Sequence, residues 1–183
     1  MKLALTAVLA FGLCAVGVFE ARADLEADVK RCRSDIVRIG EDPRAPSEQY
    51  CLGLSYQFAL NRNRDSVKAL TWLRRAAAQS FAPAQAVLGY MLEQGIGTPK
   101  NPAEAVQWYR RSAEQNDPDG LMNLGRAHEH GLGVARDLGQ ARTYYERASS
   151  LGSAPAREAL KGLGSAPPAR TAAQKEFARG VTL

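Results

Sequence analysis

The chain has 183 residues, 45% of them hydrophobic and 23% charged, with a net charge of +5. That make-up fits one packed domain or one short repeat array and excludes a collagenous, low-complexity or wholly disordered chain. Three cysteines are too few for a disulfide-dense scaffold or a four-cysteine zinc site, and two histidines leave little material for metal or triad chemistry.

Residues 1–23 read as a secretory signal. Lys2 supplies a positive start, Leu3–Phe19 is an almost unbroken apolar run, and Ala21-Arg22-Ala23 is a small-x-small cleavage site. The run falls slightly short of the roughly 20 residues of a comfortable membrane span. The expectation is therefore cleavage after Ala23 and no integral membrane span afterwards, with an uncleaved anchor as the alternative. Cys14 follows Leu13, where a lipid-modified cysteine needs a small residue before it. Cleavage would remove Lys2, Arg22 and Glu20, lowering the net charge from +5 to +4, and would leave Cys32 and Cys51 as an even pair. In an oxidising compartment such a pair is a disulfide candidate. Mild basicity in an exported protein does not speak for nucleic acid; it suits a solvated face or an anionic envelope surface. Residues 24–48 follow. Leu25, Val29, Cys32, Ile36 and Val37 have helical spacing and predict a helix that caps what comes next, with 40–46 as connector.

From Tyr50 onward the chain repeats with a step of 36. Leu52, Leu88, Leu124 and Leu160 keep that step, as do Gly53, Gly89 and Gly125; Ala69, Ala105 and Ala141; Trp72, Trp108 and Tyr144; and Arg75, Arg111 and Arg147. Three units are expected at 49–84, 85–120 and 121–156, with 157–183 as a C-terminal capping helix and tail. Each unit reads as two helices. In the second, Ala84, Leu88, Met91 and Leu92 form one helical stripe, and Gly95-Ile96-Gly97-Thr98-Pro99 breaks it. Asn101, Pro102 and Glu104 then predict a capped restart with Glu104 reaching back, and Ala105, Trp108, Tyr109, Ser112 and Ala113 form the second apolar face. Asn116 closes the unit, since Asn tolerates the left-handed conformation. Gly89, Gly125, Ala105 and Ala141 are expected to let helices approach closely, with Trp108 and its equivalents filling the space between. The first unit has Ala59 and Asn61 where the others have loop glycines, which predicts a less regular, more basic turn.

The run Leu88-Gly89, Gly95-Ile96-Gly97, Asn101, Glu104-Ala105 and Trp108 through Asn116 resembles the Sel-1-like repeat, a relative of the tetratricopeptide repeat with a longer unit. The likeness covers about 108 residues at several fixed offsets. It implies an all-α fold, an α-solenoid of stacked helix-turn-helix units with capping helices, working as an adaptor for a peptide or protein. By the tetratricopeptide pattern, the first helices line a concave groove whose positions are Tyr50, Leu54, Gln57 and Phe58, then Ala86, Tyr90, Glu93 and Gln94, then Met122, Arg126, Glu129 and His130. The alternative role for any of these is packing between helices.

No catalytic constellation is expected. His128 and His130, two apart on a helix, point about 200° from each other and cannot share a metal. The glycine pairs at 95/97 and 131/133 lie between helices, so they form no phosphate loop. Arg75, Arg111 and Arg147 read as a solvated edge with packed stems, or, more sharply, as a contact for an acidic partner. The leading function is an exported, non-catalytic scaffold without cofactor. A cell-wall enzyme is the alternative from another class: some cysteine-rich relatives are linked with penicillin binding or hydrolysis. Those carry a cysteine pair in each repeat, and no repeat here has two. A regulator restraining a membrane sensor is the third reading. Oligomeric state is not legible.

Overall fold

A computed structural model describes residues 28–32, 43–59 and 63–164. The signal at 1–23, Asn61 and the tail after Gly164 lie outside the described residues. After a helical segment at 28–32 come seven helices: α1 (Pro46–Gln57), α2 (Ser66–Ala78), α3 (Ala82–Gln94), α4 (Pro102–Glu114), α5 (Pro118–His130), α6 (Leu138–Ser150) and α7 (Ala154–Gly162). Consecutive pairs form three hairpins, α1–α2, α3–α4 and α5–α6, each packed on the next, and α7 covers the last. The described residues are all helix and turn, as a solenoid requires. The hairpins start at Pro46, Ala82 and Pro118, so residues 85 and 121 fall inside first helices. A period read from sequence has no phase; the helix starts supply it.

Local chemistry repeats with the same step. Asp65, Asn101 and Asp137 cap the second helices, accepting from the backbone N–H of Lys68, Glu104 and Gln140 at 2.9, 3.1 and 3.0 Å. The backbone N–H groups of these three caps donate to the carbonyls of Tyr56, Leu92 and His128, closing every hairpin alike. Glu104 therefore does not reach back to the Asn101 backbone; its carboxylate accepts from the Asn101 side chain at 3.1 Å instead. The first turn keeps this closure although it lacks the glycine: Ala59 stands at φ 56 where Gly95 and Gly131 stand at 74 and 71. Asn116 ends its helix at φ 59. Gly97 and Gly133 combine positive φ with close packing on the backbone of Ser66 and Pro102 at the start of the preceding second helix, so no side chain fits there.

The core contains a motif that the leucine and glycine steps did not reveal. An added Cβ on Gly89 would stand 2.5 Å from the Tyr109 ring, and one on Gly125 would stand 2.6 Å from Tyr145. Both tyrosines are essentially fully buried, and each hydroxyl donates to a glutamate one turn along from its glycine: Tyr109 to Glu93 at 3.0 Å, Tyr145 to Glu129 at 2.7 Å. The ring fills the gap and the carboxylate satisfies its polar end. Trp108, expected to fill that space, sits only half-buried at the edge. Its ring lies under the Arg111 guanidinium at 4.5 Å and its Nε1 donates to Glu104. A tryptophan is too wide for a channel cut to a glycine.

The N-terminal segment packs on α1. Cys32 and Cys51 form a disulfide with Cα atoms 5.0 Å apart, and the Tyr50 hydroxyl donates to Asp28 at 2.7 Å. No helix among the described residues is long and apolar enough to cross a membrane.

Candidate functional site on the first-helix face

The twelve groove positions divide by burial. Leu54 is fully buried and Ala86 and Tyr50 are 2% and 4% exposed, so these three belong to the core and not to an open surface. Segment 28–32 covers Tyr50, whose ring also packs 5.4 Å from Phe81. The physical reason is crowding: each first helix meets its own hairpin partner and the adjoining units, which narrows the stripe left to solvent. Glu93 is also buried, at 8%. Gln57, Phe58, Tyr90, Gln94, Met122, Arg126 and Glu129 are half-buried, and His130 is exposed.

Glu93 is the electrostatic centre of this face. Its Oε2 accepts from Tyr109 and from Arg126 Nη2 at 2.9 Å, and its Oε1 accepts from Gln94 at 2.8 Å. Arg126 also donates to Asn123. The ion pair ties the second unit to the third, across helices α3 and α5. Burial pushes the Tyr109 and Tyr145 phenols far up and the Tyr90 phenol up, so all three remain neutral, and Tyr109 and Tyr145 keep the protons they donate. In the first unit Leu73 occupies the place of Tyr109, and Gln57, in the place of Glu93, has a buried Oε1 without a partner among the described residues. The signal for this network was present as matched steps: Glu93 and Glu129, Tyr109 and Tyr145.

Other features resolve as structure. Arg75 and Arg111 lie over the Trp72 and Trp108 rings at 4.4 and 4.5 Å, and Arg147 donates to Asn116. His128 stacks on Tyr144 at 5.5 Å, while His130 turns to Glu129 at 3.8 Å. No group of three metal-ligating side chains occurs among the described residues.

The repeat pattern, its hairpins and its glycine–tyrosine contacts meet in one comparison: the family model for the Sel1 repeat matches residues 49–81, 82–117 and 118–153. The chain belongs to the Sel1 repeat family. Similar solved structures agree. A Sel1 repeat protein from Oxalobacter formigenes is 28% identical with a TM-score of 0.65, aligned over 77% of this chain and 58% of that one. A protective antigen of uropathogenic Escherichia coli, c5321, is 31% identical with a TM-score of 0.59 over 75% of this chain and 30% of that one. Cysteine-rich protein B of Helicobacter pylori, 23% identical with a TM-score of 0.53, covers 81% of this chain and all of that one, and shares the fold. The chain thus spans less than two thirds of the first two relatives. No curated protein matches it. Sel1 repeats are generally non-catalytic scaffolds for protein interaction.

Proposed function

We propose that this protein is an exported, non-catalytic scaffold that holds a peptide or protein along the face of its first helices. The observation that carries the reading is a stripe of half-buried groups across two adjacent units: Tyr90 and Gln94 on α3, Met122 and Arg126 on α5. An aromatic ring, a thioether, an amide and a guanidinium are suited to a mixed peptide surface, and they lie on helices whose other sides are consumed by packing. Export is supported by the signal-like residues 1–23 and by the Cys32–Cys51 disulfide, a bond that persists in oxidising compartments.

The test is site-specific photo-cross-linking in the native host. A photoreactive residue at position 90 or 122 is expected to give a discrete adduct, and one at Val67, 63% exposed on α2, to give none. Adducts from 67 alone would move the partner to the other face and overturn the reading. Mass measurement after cell fractionation tests export: the expected product ends its signal at Ala23, and a full-length cytoplasmic product would refute that part.

A further inference from the structure

The junction between the first and second units and the junction between the second and third differ at three positions above all. At the first, Arg74 on α2 donates to Glu104 on α4 at 3.1 Å, and the Trp108 indole donates to the same carboxylate oxygen at 3.3 Å. Arginine, carboxylate and ring close that junction. One period later the arginine is kept as Arg110, but Glu104 becomes Gln140, Trp108 becomes Tyr144 and Leu92 becomes His128. The acid has gone, the ring is smaller and an imidazole replaces an alkyl chain. What stands there is an open cleft of about 510 Å³, lined in part by Arg110, His128, Arg136, Asp137, Gln140 and Tyr144.

Among its described lining residues the cleft carries two arginines and one aspartate. Arg110 has no hydrogen-bond or ion-pair partner among the described residues. Arg136 donates from its Nε to the Glu129 carbonyl at 2.9 Å, its one hydrogen bond among the described residues. Among the described residues of the wall Asp137 is the one acid, and its Oδ1 is held by the backbone N–H groups of Gly139 and Gln140, the capping task that neutral Asn101 performs one unit earlier. His128 lines the same wall, where its ring stacks on Tyr144 and interacts with the Ala135 backbone, while its buried Nδ1 has no partner among the described residues.

We propose that this cleft binds a carboxylate, the side chain of an aspartate or glutamate on a partner polypeptide, which supplies to Arg110 the negative charge that Glu104 supplies to Arg74 within the chain at the preceding junction. The guanidinium of Arg110 is the main anchor, Arg136 adds charge from the rim, and Gln140 offers an amide where a carboxylate would have repelled the ligand. The site is built from α4, the α5–α6 turn, α6 and the flank of α5, apart from the Tyr90–Arg126 stripe, so it stands or falls independently of the proposed groove.

The experiment is a titration of the ¹⁵N-labelled protein with the capped tripeptide acetyl-Gly-Glu-Gly-amide, with its Gln counterpart and with inorganic phosphate. The Glu peptide is expected to shift the amides of Arg110, His128 and Gln140 saturably, and the Gln peptide to leave them in place. Arg110→Gln should weaken binding about tenfold. Gln140→Glu should weaken it as much by restoring an internal carboxylate beside Arg110, and because it reproduces a pairing the fold already carries, it keeps the test valid if Arg110→Gln fails to fold. The proposal is overturned by equal shifts from the Glu and Gln peptides, by wild-type affinity in both variants, or by shifts confined to residues 90 and 122. Phosphate moving the cleft resonances where the Glu peptide does not would overturn it in favour of a phosphoryl ligand.

Discussion

Replacing Arg126 by alanine tests whether this residue is a free groove arginine or part of the frame. Arg126 is 18% exposed at its side chain and its Nη2 lies 2.9 Å from Glu93, whose side chain is 6% exposed. Truncation would leave a buried carboxylate without its cation, a change that costs about 3–5 kcal/mol when the charge is fully isolated. Glu93 would keep the Tyr109 hydroxyl and the Gln94 amide, and Arg126 is partly hydrated, so the expected loss is about 2–3 kcal/mol. Urea unfolding followed by circular dichroism should show a lower midpoint with an unchanged slope. A double-mutant cycle with Glu93→Gln isolates the pair. The glutamine still accepts from Tyr109 and carries no charge, so Arg126→Ala in that background should cost at least about 1 kcal/mol less. A loss within about 0.5 kcal/mol in the native background, the range of ordinary surface substitutions, would refute the ion-pair argument and leave Arg126 with its groove role alone. Tyr90 and Met122, outside this pair, are the cleaner probes of partner binding.

Gly89→Ala should cost about 1–3 kcal/mol in the same assay, because its Cβ would stand 2.5 Å from the buried Tyr109 ring and 3.0 Å from the Ala105 carbonyl; a neutral result would mean the helices separate without penalty. Ala59→Gly should stabilise by about 0.5–1 kcal/mol, since φ 56 strains a residue with a Cβ, and a loss would show that the turn depends on that side chain. Cys32→Ser with Cys51→Ser should lower stability by about 3 kcal/mol through the loop the disulfide closes; an unchanged midpoint under oxidising conditions would count against it. Burial holds the His128 imidazole below its ordinary value, so the unfolded chain takes up that proton first as pH falls. Stability should therefore drop as pH decreases from about 6.5 towards the folded-state value, and His128→Leu, copying Leu92, should flatten that part of the curve. A curve that stays equally steep in the variant would assign the effect to other groups.

The 36-residue step, the helix breaks at paired glycines and the Asn and Asp caps were legible from sequence, because each depends on chemistry local to a few residues. Asn101 caps and Asn116 turns wherever the chain goes, and a helical stripe such as Leu88, Met91 and Leu92 must be buried against something. Cys32 and Cys51 were legible as a candidate pair, and the structure joins them. Tertiary structure alone decided which side of each stripe stays wet. Tyr50, Leu54 and Ala86 share the helical register of groove residues, yet the N-terminal segment and adjoining helices close over them. The same holds for the aromatic pair at 108 and 109. Both positions recur with the period, but only the tyrosine lines up with Gly89 and can end on Glu93, a contact set by helix separation and not by spacing. Charge is the last case. Arg74 and Arg110 are the same residue at the same repeat position; one is neutralised by Glu104 across a junction and the other faces Gln140, and that difference arises only when neighbouring units meet.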